Sequence, residues 1–243
     1  MTKILGIIPA RAGSKRLPGK NTRLFDGKPL ITYSIASALS STLITDIAVS
    51  SDSDEVLEIA SKYQRVKVIK RPAELAGDLS PAIDYVKHAL EQYKFTFDYV
   101  VIIQASSPLT QPNDIDQTIQ LLLNHPKADS SVSVMQLDHA IHPVKLKTMK
   151  DNVLLPYLEE ENGRMAAHEL PELFVRNCAV YVTSIKTLES GKIIGDYCLG
   201  HMTPRERSVD INELIDFEFA ELLYKKYFKD KKLFDTIKYC KFK

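Results

Sequence analysis

The segment that follows the first predicted strand carries the side chains best suited to chemistry. From residue 7 it reads IIPARAGSKRLPGKN, and the first 25 residues hold six basic side chains and no acidic one. Gly13 and Gly19 let backbone N–H groups approach an anion closely. Arg11 can bind two phosphate oxygens at once, and Lys20 adds a point charge. Together these residues predict a binding site for a triphosphate.

Two familiar phosphate-binding motifs fail on spacing. A P-loop has four residues between its first glycine and the Gly-Lys pair, and Ser or Thr follows the lysine. Here five residues separate Gly13 from Gly19, and Asn21 follows Lys20. The G-x-G-x-x-G fingerprint of dinucleotide-binding folds is absent from the sequence. An ordinary solvated loop remains the alternative to a phosphate site.

The overall composition is typical of one α/β domain with a small appendage. The chain has 243 residues, of which 44% are hydrophobic. Its 32 Lys and Arg against 31 Asp and Glu leave a net charge of +1, so we expect neither nucleic acid nor a membrane as a partner. The apolar runs are too short for a membrane span or a signal peptide, and we expect a cytoplasmic protein. Three widely spaced cysteines predict free thiols.

Short apolar runs alternate with stretches of helical spacing along the first half of the chain. The predicted strands are Ile4–Ile8, Ile47–Val49, Val66–Ile69, Tyr99–Ile103 and Val132–Met135. The predicted helices are Leu30–Leu39, Glu55–Tyr63, Pro81–Tyr93 and Asp114–Leu123. This βαβ alternation predicts a three-layer, doubly wound α/β fold with a mostly parallel sheet. Ligands bind beyond the carboxyl ends of such strands, so we expect the site in the loops that follow them.

The alternation fails between residues 139 and 173, where three prolines interrupt it. We expect these residues to form an inserted β arm on a nucleotide-binding domain made of residues 1–138 and 174–243. The elements predicted in and after the arm are hairpin strands at Val144–Thr148 and Asn152–Leu158 across Lys150 and Asp151, a strand at Phe174–Thr183 and an amphipathic helix at Asn212–Tyr227.

Six segments, in the same order, resemble the acylneuraminate cytidylyltransferases, which make CMP-activated acidic sugars. They are the first loop ending in Gly19-Lys20-Asn21, Arg71-Pro72 with Asp78-Leu79-Ser80, Ile103–Leu109 (IQASSPL for the family's LQPTSPL), His142-Pro143 with Lys145 (HP.K), Arg176–Tyr181 (for NGAIYI) and Ser208–Asn212 with Asp216-Phe217 (for S.DID…DF). The resemblance implies Mg²⁺-dependent transfer of CMP from CTP to the anomeric hydroxyl of an acidic α-keto sugar such as sialic, legionaminic or pseudaminic acid.

The resemblance also implies roles for individual residues. The expected nucleotide-binding residues are Ala10, Arg11, Gly13, Ser14, Lys20, Asn21, Arg71 and Ser80. Arg11, Lys20 and Asp210 are the expected catalytic residues, because they would neutralise the triphosphate. Asp210 and Asn212 are the expected Mg²⁺ ligands, although either residue could instead cap the last helix. For Arg71, a structural salt bridge is the alternative.

The expected contacts to the sugar lie further along the chain. They are Gln104, Ser106, Ser107, Lys145 and Arg176. Lys145 is the expected cation for the sugar carboxylate, with a solvated strand residue as its alternative. The family resemblance implies a homodimer in which the arm of one subunit covers the site of its neighbour.

Three departures from the family pattern bear on the substrate. Asn212 stands where the family has a second aspartate, so we expect weaker or water-mediated metal binding. Ala166 and Ala167 replace arginines that would hold an acidic group. Cys178 replaces a glycine, so we expect the backbone there to have lost its freedom for φ > 0. The changes at Ala166, Ala167 and Cys178 indicate an unusual acidic sugar or a divergent subgroup.

Two other functions remain open at this point. One is activation of the eight-carbon sugar acid of lipopolysaccharide, whose family shares the RLPGK string but usually continues with Pro-Leu in place of Asn21. The other is a nucleotide-binding protein that has lost catalysis, which the departures at Ala166, Ala167 and Asn212 would explain.

Overall fold

A computed structural model describes residues 2–158, 170–229 and 233–234 of the chain. The strands are β1 (Ile4–Pro9), β2 (Leu24–Phe25), β3 (Lys28–Pro29), β4 (Asp46–Ser51), β5 (Val66–Lys70), β6 (Tyr99–Ile103), β7 (Ser130–Gln136), β8 (Lys147–Lys150), β9 (Val153–Pro156), β10 (Phe174–Ser184) and β11 (Cys198–Met202). The helices are α1 (Ile31–Ser40), α2 (Asp54–Ser61), α3 (Ala82–Glu91), α4 (Pro112–Leu123), α5 (Ile185–Glu189) and α6 (Leu214–Tyr227).

Seven strands form a mostly parallel sheet in the order β11-β7-β10-β6-β1-β4-β5. Within this sheet β10 is antiparallel to its neighbours β6 and β7, and the other pairs are parallel. The predicted α/β fold is therefore confirmed, and the five predicted strands of the first half are found with their ends shifted by at most two residues. Their Val- and Ile-rich composition predicted burial on both faces. This is confirmed for β1, β4 and β6, and it was wrong for β5, which lies at the edge of the sheet and buries Ile69 alone of its five residues.

Helices cover both faces of the sheet and form two hydrophobic cores. On one face Ile4, Ile8 and Val49 pack with residues of α1, α2 and α4. On the other face Leu5 and Ile7 pack with α3 and α5. Because side chains alternate along β1, this one strand contributes to both cores. This packing fixes the strand ends, where the site lies.

A third core attaches the end of the chain to its beginning. Phe217, Ala220 and Tyr224 of α6 pack against Phe25 and Tyr33. Phe25 and Tyr33 lie edge to face, with 4.9 Å between ring centroids. This packing brings the segment that precedes α6 to the loop that follows β1.

Two predicted boundaries in the arm and in the last helix were wrong. Val144 lies in a short 3₁₀ turn (Pro143–Lys145), and the hairpin turn is made by Asp151 and Asn152, both with positive φ. Asp and Asn tolerate that conformation better than Lys150 would. The last helix begins at Leu214, two residues later than predicted.

Some predictions fall outside what the structure describes. Residues 159–169 of the predicted arm, which include Ala166 and Ala167, lie outside the described residues. The proposed division of the chain at residues 139 and 173 stays a prediction. None of the helices in the described ranges has the length and apolar character needed to cross a bilayer, and the cytoplasmic location stays a prediction.

Candidate active site

The loop between β1 and α1 is fixed by hydrogen bonds at both of its ends. Ala10 is buried, and its N–H donates to the Ser50 carbonyl at 3.0 Å. The side chain of Asn21 donates to the Arg11 carbonyl at 3.0 Å, which closes the loop on itself. Gly19 has φ +67°, a conformation that favours glycine, whereas a Cβ at Gly13 would contact nothing within 4 Å. The loop is therefore held in shape before any ligand arrives.

A cavity of about 500 Å³ opens between this loop and the loops after β5 and β6. Its lining includes five basic side chains: Arg11, Lys15, Arg16, Lys20 and Arg71. Among the described residues of the lining, Asp78 is the single acidic one. Ser14, Asn21 and Ser80 add hydroxyl and amide groups. A cavity with this excess of positive charge is suited to a polyanion.

Lys20 connects the first loop to the segment that precedes α6. Its Nζ donates to the Ile211 carbonyl at 2.6 Å, and Ile211 itself is fully buried. Burial lowers the pKa of Lys20 below its ordinary value, and the nearby charge of Asp210 opposes this effect. Arg11 and Arg16 also lie close enough to lower this pKa. Arg11 and Asp210, two predicted partners of the triphosphate, therefore both lie within electrostatic reach of Lys20.

Asp210 and Asn212 form a small polar group near Lys20, in which Asn212 belongs to the cavity lining and Asp210 lies outside it. Asn212 Nδ2 donates to Asp210 Oδ2 at 2.9 Å, and Asn212 Oδ1 accepts from Arg16 Nη2 at 2.7 Å. Neither residue caps α6, because the helix begins after Glu213 and Asp216 Oδ2 accepts from the Glu213 N–H. The alternative role as a helix cap is therefore excluded. Asn212 lines the cavity, and its side-chain amide oxygen is already occupied by the hydrogen bond from Arg16.

Arg71 lies on the floor of the cavity beneath the loop that follows β5. Its guanidinium donates to the hydroxyl and the carbonyl of Ser50, at 3.1 and 2.8 Å. The same group stacks on Tyr85, 4.4 Å from the ring centroid. Burial lowers the pKa of Arg71 and raises the pKa of Tyr85 to about 12. Uncharged partners hold this arginine, in place of the salt bridge considered from the sequence.

The residues predicted to contact the sugar fall into two groups. Gln104 and Ser106 line the cavity, and Ser107 is buried just beyond them. Lys145 lies outside the cavity lining, and its Nζ is 2.9 Å from His139 Nδ1. Arg176 is exposed on β10, also outside the lining. The cavity thus gathers most of the side chains predicted to bind the nucleotide but only two of those predicted to bind the sugar. The roles of both groups stay predictions.

A buried polar network anchors the segment that carries Asp210. Asn177 on β10 donates to Thr203 and Ser208, at 2.7 and 3.1 Å, and accepts from Ser133 at 2.5 Å. All four side chains are less than one-tenth exposed. Next to Asp210, the N–H of Ile211 donates to the Ser106 carbonyl at 2.9 Å. Asp210 is therefore carried on a rigid segment, which suits a residue that must meet a ligand precisely.

The backbone at Cys178 has a positive φ, which we expected this position to have lost because cysteine replaces the family's glycine. Its φ is +61°, and the pairing of β10 with β7 shifts register between Arg176 and Tyr181. The expectation was wrong, since the bulge imposes a left-handed backbone on a cysteine. Burial and the neighbouring thiol raise the pKa of Tyr181, and Arg176 and Asp210 also act on this tyrosine.

Three residues that shape the cavity or support its first loop had no individual role assigned from the sequence, although Asp78 lies in a segment that resembles the family's nucleotide-contacting segment. Asp78 forms ion pairs with Arg11 and Lys15. Asp52 accepts from the Ala12 N–H at 2.8 Å and so supports the first loop. Tyr85 stacks on Arg71. The position of Asp52 in the loop that follows the predicted strand Ile47–Val49 was an available signal for it. Tyr85 lies in a predicted helix, where an apolar core role is equally typical.

The chain matches known proteins over almost its whole length. The profile of the family described as Cytidylyltransferase matches residues 5–231. The chain belongs to this family. It is a nucleotidyltransferase of the acylneuraminate cytidylyltransferase group, as the resemblance indicated.

Three relatives illustrate the range of sugars in this group. The chain is 31% identical to a pseudaminic acid cytidylyltransferase of Campylobacter jejuni, over 92% of this chain and 97% of the relative. It is 32% identical to a CMP-N,N'-diacetyllegionaminic acid synthase of Legionella pneumophila, over 91% and 96%. It is 29% identical to an N-acylneuraminate cytidylyltransferase of Escherichia coli, over 93% of this chain and 53% of that protein.

Solved structures share the fold of this cytidylyltransferase at low sequence identity. CMP:2-keto-3-deoxy-manno-octonic acid synthetase, complexed with CTP, superimposes with a TM-score of 0.69 at 17% identity, over 93% of this chain and 99% of that chain. A 4-diphosphocytidyl-2C-methyl-D-erythritol synthase from Anaerococcus prevotii gives a TM-score of 0.61 at 13% identity, over 92% and 96%. At these identities the likeness shows the fold alone.

Proposed function

We propose that this enzyme transfers CMP from CTP to the anomeric hydroxyl of a nine-carbon acidic α-keto sugar and releases pyrophosphate. The observation that carries the proposal is the cavity that is lined by five cations and by Asn212, with Asp210 close enough to act on Lys20. The relatives at about 30% identity act on pseudaminic, legionaminic and N-acylneuraminic acids. They support this class of sugar and leave the choice within it to experiment.

In the proposed reaction, the sugar hydroxyl oxygen attacks the α-phosphorus of CTP. A new P–O bond forms, the bond between the α-phosphorus and the bridging oxygen breaks, and the hydroxyl proton passes to solvent. Negative charge grows on the phosphate oxygens during this step, so fixed cations stabilise the transition state more than the ground state. Arg11 and Lys20 would supply that charge, with Ser14 and Asn21 as hydrogen-bonding partners.

The donor set fits a magnesium ion. Mg²⁺ is usually held by one or two carboxylates together with substrate phosphates and water. Asp210 offers a carboxylate and Asn212 an amide oxygen next to it, although Asn212 would first release Arg16. When bound, the metal would neutralise charge on the triphosphate. Arg16, once released from Asn212, would still pair with Glu213 and could turn to the same phosphates by exchanging this exposed ion pair.

The part of the cavity around Arg71 would hold the cytidine. Arg71 and Tyr85 form its floor, and Ser80 and the Ala10 region offer short polar and backbone groups that can read the edge of a base. Gln104 and Ser106, at the end of β6, would face the sugar. Ser107 is buried, so we propose that it contacts the sugar only after the loop adjusts.

We propose that a second copy of the chain completes the site. The β8–β9 hairpin exposes a group of large apolar side chains, namely Met149, Val153, Leu154, Leu155 and Tyr157. A surface of this kind is typical of an interface. Lys145 and Arg176, which lie outside the cavity of their own subunit, would then hold the sugar carboxylate across the dimer.

The direct test is release of pyrophosphate from CTP with a panel of acidic sugars. Turnover with a nine-carbon α-keto acid is the expected result. Turnover only with the eight-carbon sugar acid would favour the alternative sugar. Asn21 argues against this alternative, because the enzymes that activate the eight-carbon acid usually have Pro-Leu in place of Asn21. Binding of CTP without turnover on any sugar would favour a protein that has lost catalysis, for which Asn212 is the motivating residue.

A further inference from the structure

The carboxylate of Asp78 occupies the part of the cavity that is best suited to phosphate. Its Oδ1 lies 2.5 Å from Arg11 Nη1, and its Oδ2 pairs with Lys15 Nζ. Both partners line the cavity, and Arg11 is the first of the two cations to which we assign the triphosphate. Asp78 is therefore bound where an anionic ligand would be.

The loop that carries Asp78 presents it across the cavity. This loop runs from β5 to α3 and is folded on itself, because Ser80 Oγ donates to the Glu74 carbonyl at 2.8 Å and the Ser80 N–H donates to the Gly77 carbonyl. Leu79, next to Asp78, is 95% exposed and so anchors nothing in the core. The ion pairs of Asp78 thus link two loops that otherwise face each other across the cavity.

The Asp78 carboxylate is partly accessible to a ligand and to water. Its side chain is 38% exposed, and Lys15 is 82% exposed. Hydrogen bonds from Lys15 and Arg11 lower the pKa of Asp78 below its ordinary value, so the group is ionised at neutral pH. Exposed ion pairs are weak, and a polyphosphate with several charges can replace a single carboxylate on the same cations.

We propose that Asp78 is an internal competitor for the phosphate site, which the polyphosphate of the substrate displaces from Arg11 and Lys15. This inference rests on the proposed function and deepens it. In the free enzyme Asp78 pairs with both cations and neutralises them. When the triphosphate binds, it takes over both cations. When pyrophosphate must leave, Asp78 reclaims them and so weakens the hold on the product.

The test compares Asp78→Asn and Asp78→Ala with wild type and with Asp196→Asn. Asp196 is an exposed acid that pairs with Lys192, and its replacement changes the net charge by the same amount outside the cavity lining. Titration calorimetry with inorganic pyrophosphate, and separately with CTP, is carried out in EDTA and again with Mg²⁺. We expect both Asp78 variants to bind pyrophosphate about five- to tenfold more tightly than wild type in EDTA. Asp196→Asn should bind as wild type does.

Two results would overturn the inference. Pyrophosphate binding by both Asp78 variants that equals or falls below that of wild type would mean that Asp78 orients the cations without competing for them. Variants that bind CTP as wild type does in EDTA but more weakly with Mg²⁺ would make Asp78 a metal ligand instead. Failure of the proposed function looks different: wild type then turns over no sugar, while the variants still bind pyrophosphate more tightly.

Discussion

Arg11 is the side chain on which the proposed chemistry depends most. It lines the cavity from a loop that is hydrogen-bonded to the sheet through Ala10 and closed on itself through Asn21, so the backbone position of Arg11 is set by the fold. A charge donor held in this way contributes more to the transition state than a mobile one does, because little reorganisation is needed.

Replacing Arg11 by alanine should cost about 2 to 4 kcal/mol of transition-state stabilisation, which is measured as a fall in kcat/KM. The reason is the loss of a positioned cation from the triphosphate site. Pyrophosphate release under initial-rate conditions is the measurement, with Arg65→Ala as control because Arg65 is exposed in the turn before β5. A variant whose only defect is a lower melting temperature would remove Arg11 from the catalytic residues.

Lys20 predicts an alkaline limit to binding of the nucleotide. Burial lowers its pKa in the free enzyme, so it loses its charge at a lower pH than an ordinary lysine. Affinity for an anion should therefore begin to fall as the pH rises through this lowered pKa, below the usual value of 10.5. Calorimetry with pyrophosphate at a series of alkaline pH values measures this fall in affinity, the alkaline limb of the binding profile.

Lys20→Arg is the matching variant, since arginine keeps its charge throughout this range. Its binding should stay level at pH values where that of wild type declines. An alkaline limb at the same pH in both proteins would assign the titration to another group.

The protein should be more stable to unfolding with glycine than with cysteine at position 178. A left-handed φ of +61° costs a residue with a Cβ about 1 kcal/mol, and glycine avoids that cost while losing part of the gain to its unfolded-state entropy. We expect urea denaturation to show a gain of up to about 1 kcal/mol for Cys178→Gly. Cys178→Val should lose stability, because a β-branched residue fits this conformation worst. If glycine destabilises the fold, the thiol contact with Tyr181 outweighs the strain.

At the scale of elements, the important unit is the segment between β11 and α6. It carries Asp210 and is held by the buried Asn177 network, by Ile211 in the core and by the Lys20 hydrogen bond. No regular element spans Asp210 itself, so these side-chain contacts and the backbone hydrogen bond from Ile211 to Ser106 position it. The metal predictions therefore belong to this segment.

Asp210→Asn should raise the Mg²⁺ concentration needed for half-maximal activity steeply, because it removes the only carboxylate of the proposed pair. Asn212→Asp should lower it, because a second charged oxygen joins the site. The readout is a Mg²⁺ titration of initial rates at saturating CTP. Identical titrations for wild type and Asp210→Asn would take Asp210 off the list of ligands.

Most elements were predictable from the sequence, and the failures have physical causes. Parallel strands such as Tyr99–Ile103 are continuous apolar runs, which is why their bounds were found. β11 was missed because Cys198–Met202 contains no β-branched residue and lies at the edge of the sheet. The hairpin turn was placed one residue early because periodicity does not reveal which pair of residues takes positive φ.

At the scale of the whole molecule, the site depends on contacts between the two ends of the chain. Lys20 and Ile211 are 191 residues apart in sequence, and Arg16 and Asn212 are 196 apart. The basic composition of the first loop indicated a phosphate site, but only the fold places the Asp210 segment beside it. Asp78 could not be assigned a role from sequence for the same reason, since its partners lie on another loop.

The proposed dimer gives a prediction at this scale. Leu154→Asp places a charge among the exposed apolar side chains of the β8–β9 hairpin, and we expect it to convert a dimer to a monomer in analytical ultracentrifugation. Leu24→Asp is the control, because Leu24 is similarly exposed but lies on β2. If the monomer also retains full kcat/KM for the sugar, the hairpin does not complete a neighbouring site. A dimer that survives Leu154→Asp would place the interface elsewhere.

The central claim is that one nucleotide spans the cavity from Arg71 to Asp210, and a crystal structure with CTP and Mg²⁺ tests it most directly. We predict the triphosphate within hydrogen-bonding distance of Arg11 and Lys20, the metal on Asp210, and the cytosine over the Arg71 floor. Phosphates bound away from Arg11, or a metal ion that is not coordinated by Asp210, would contradict the claim.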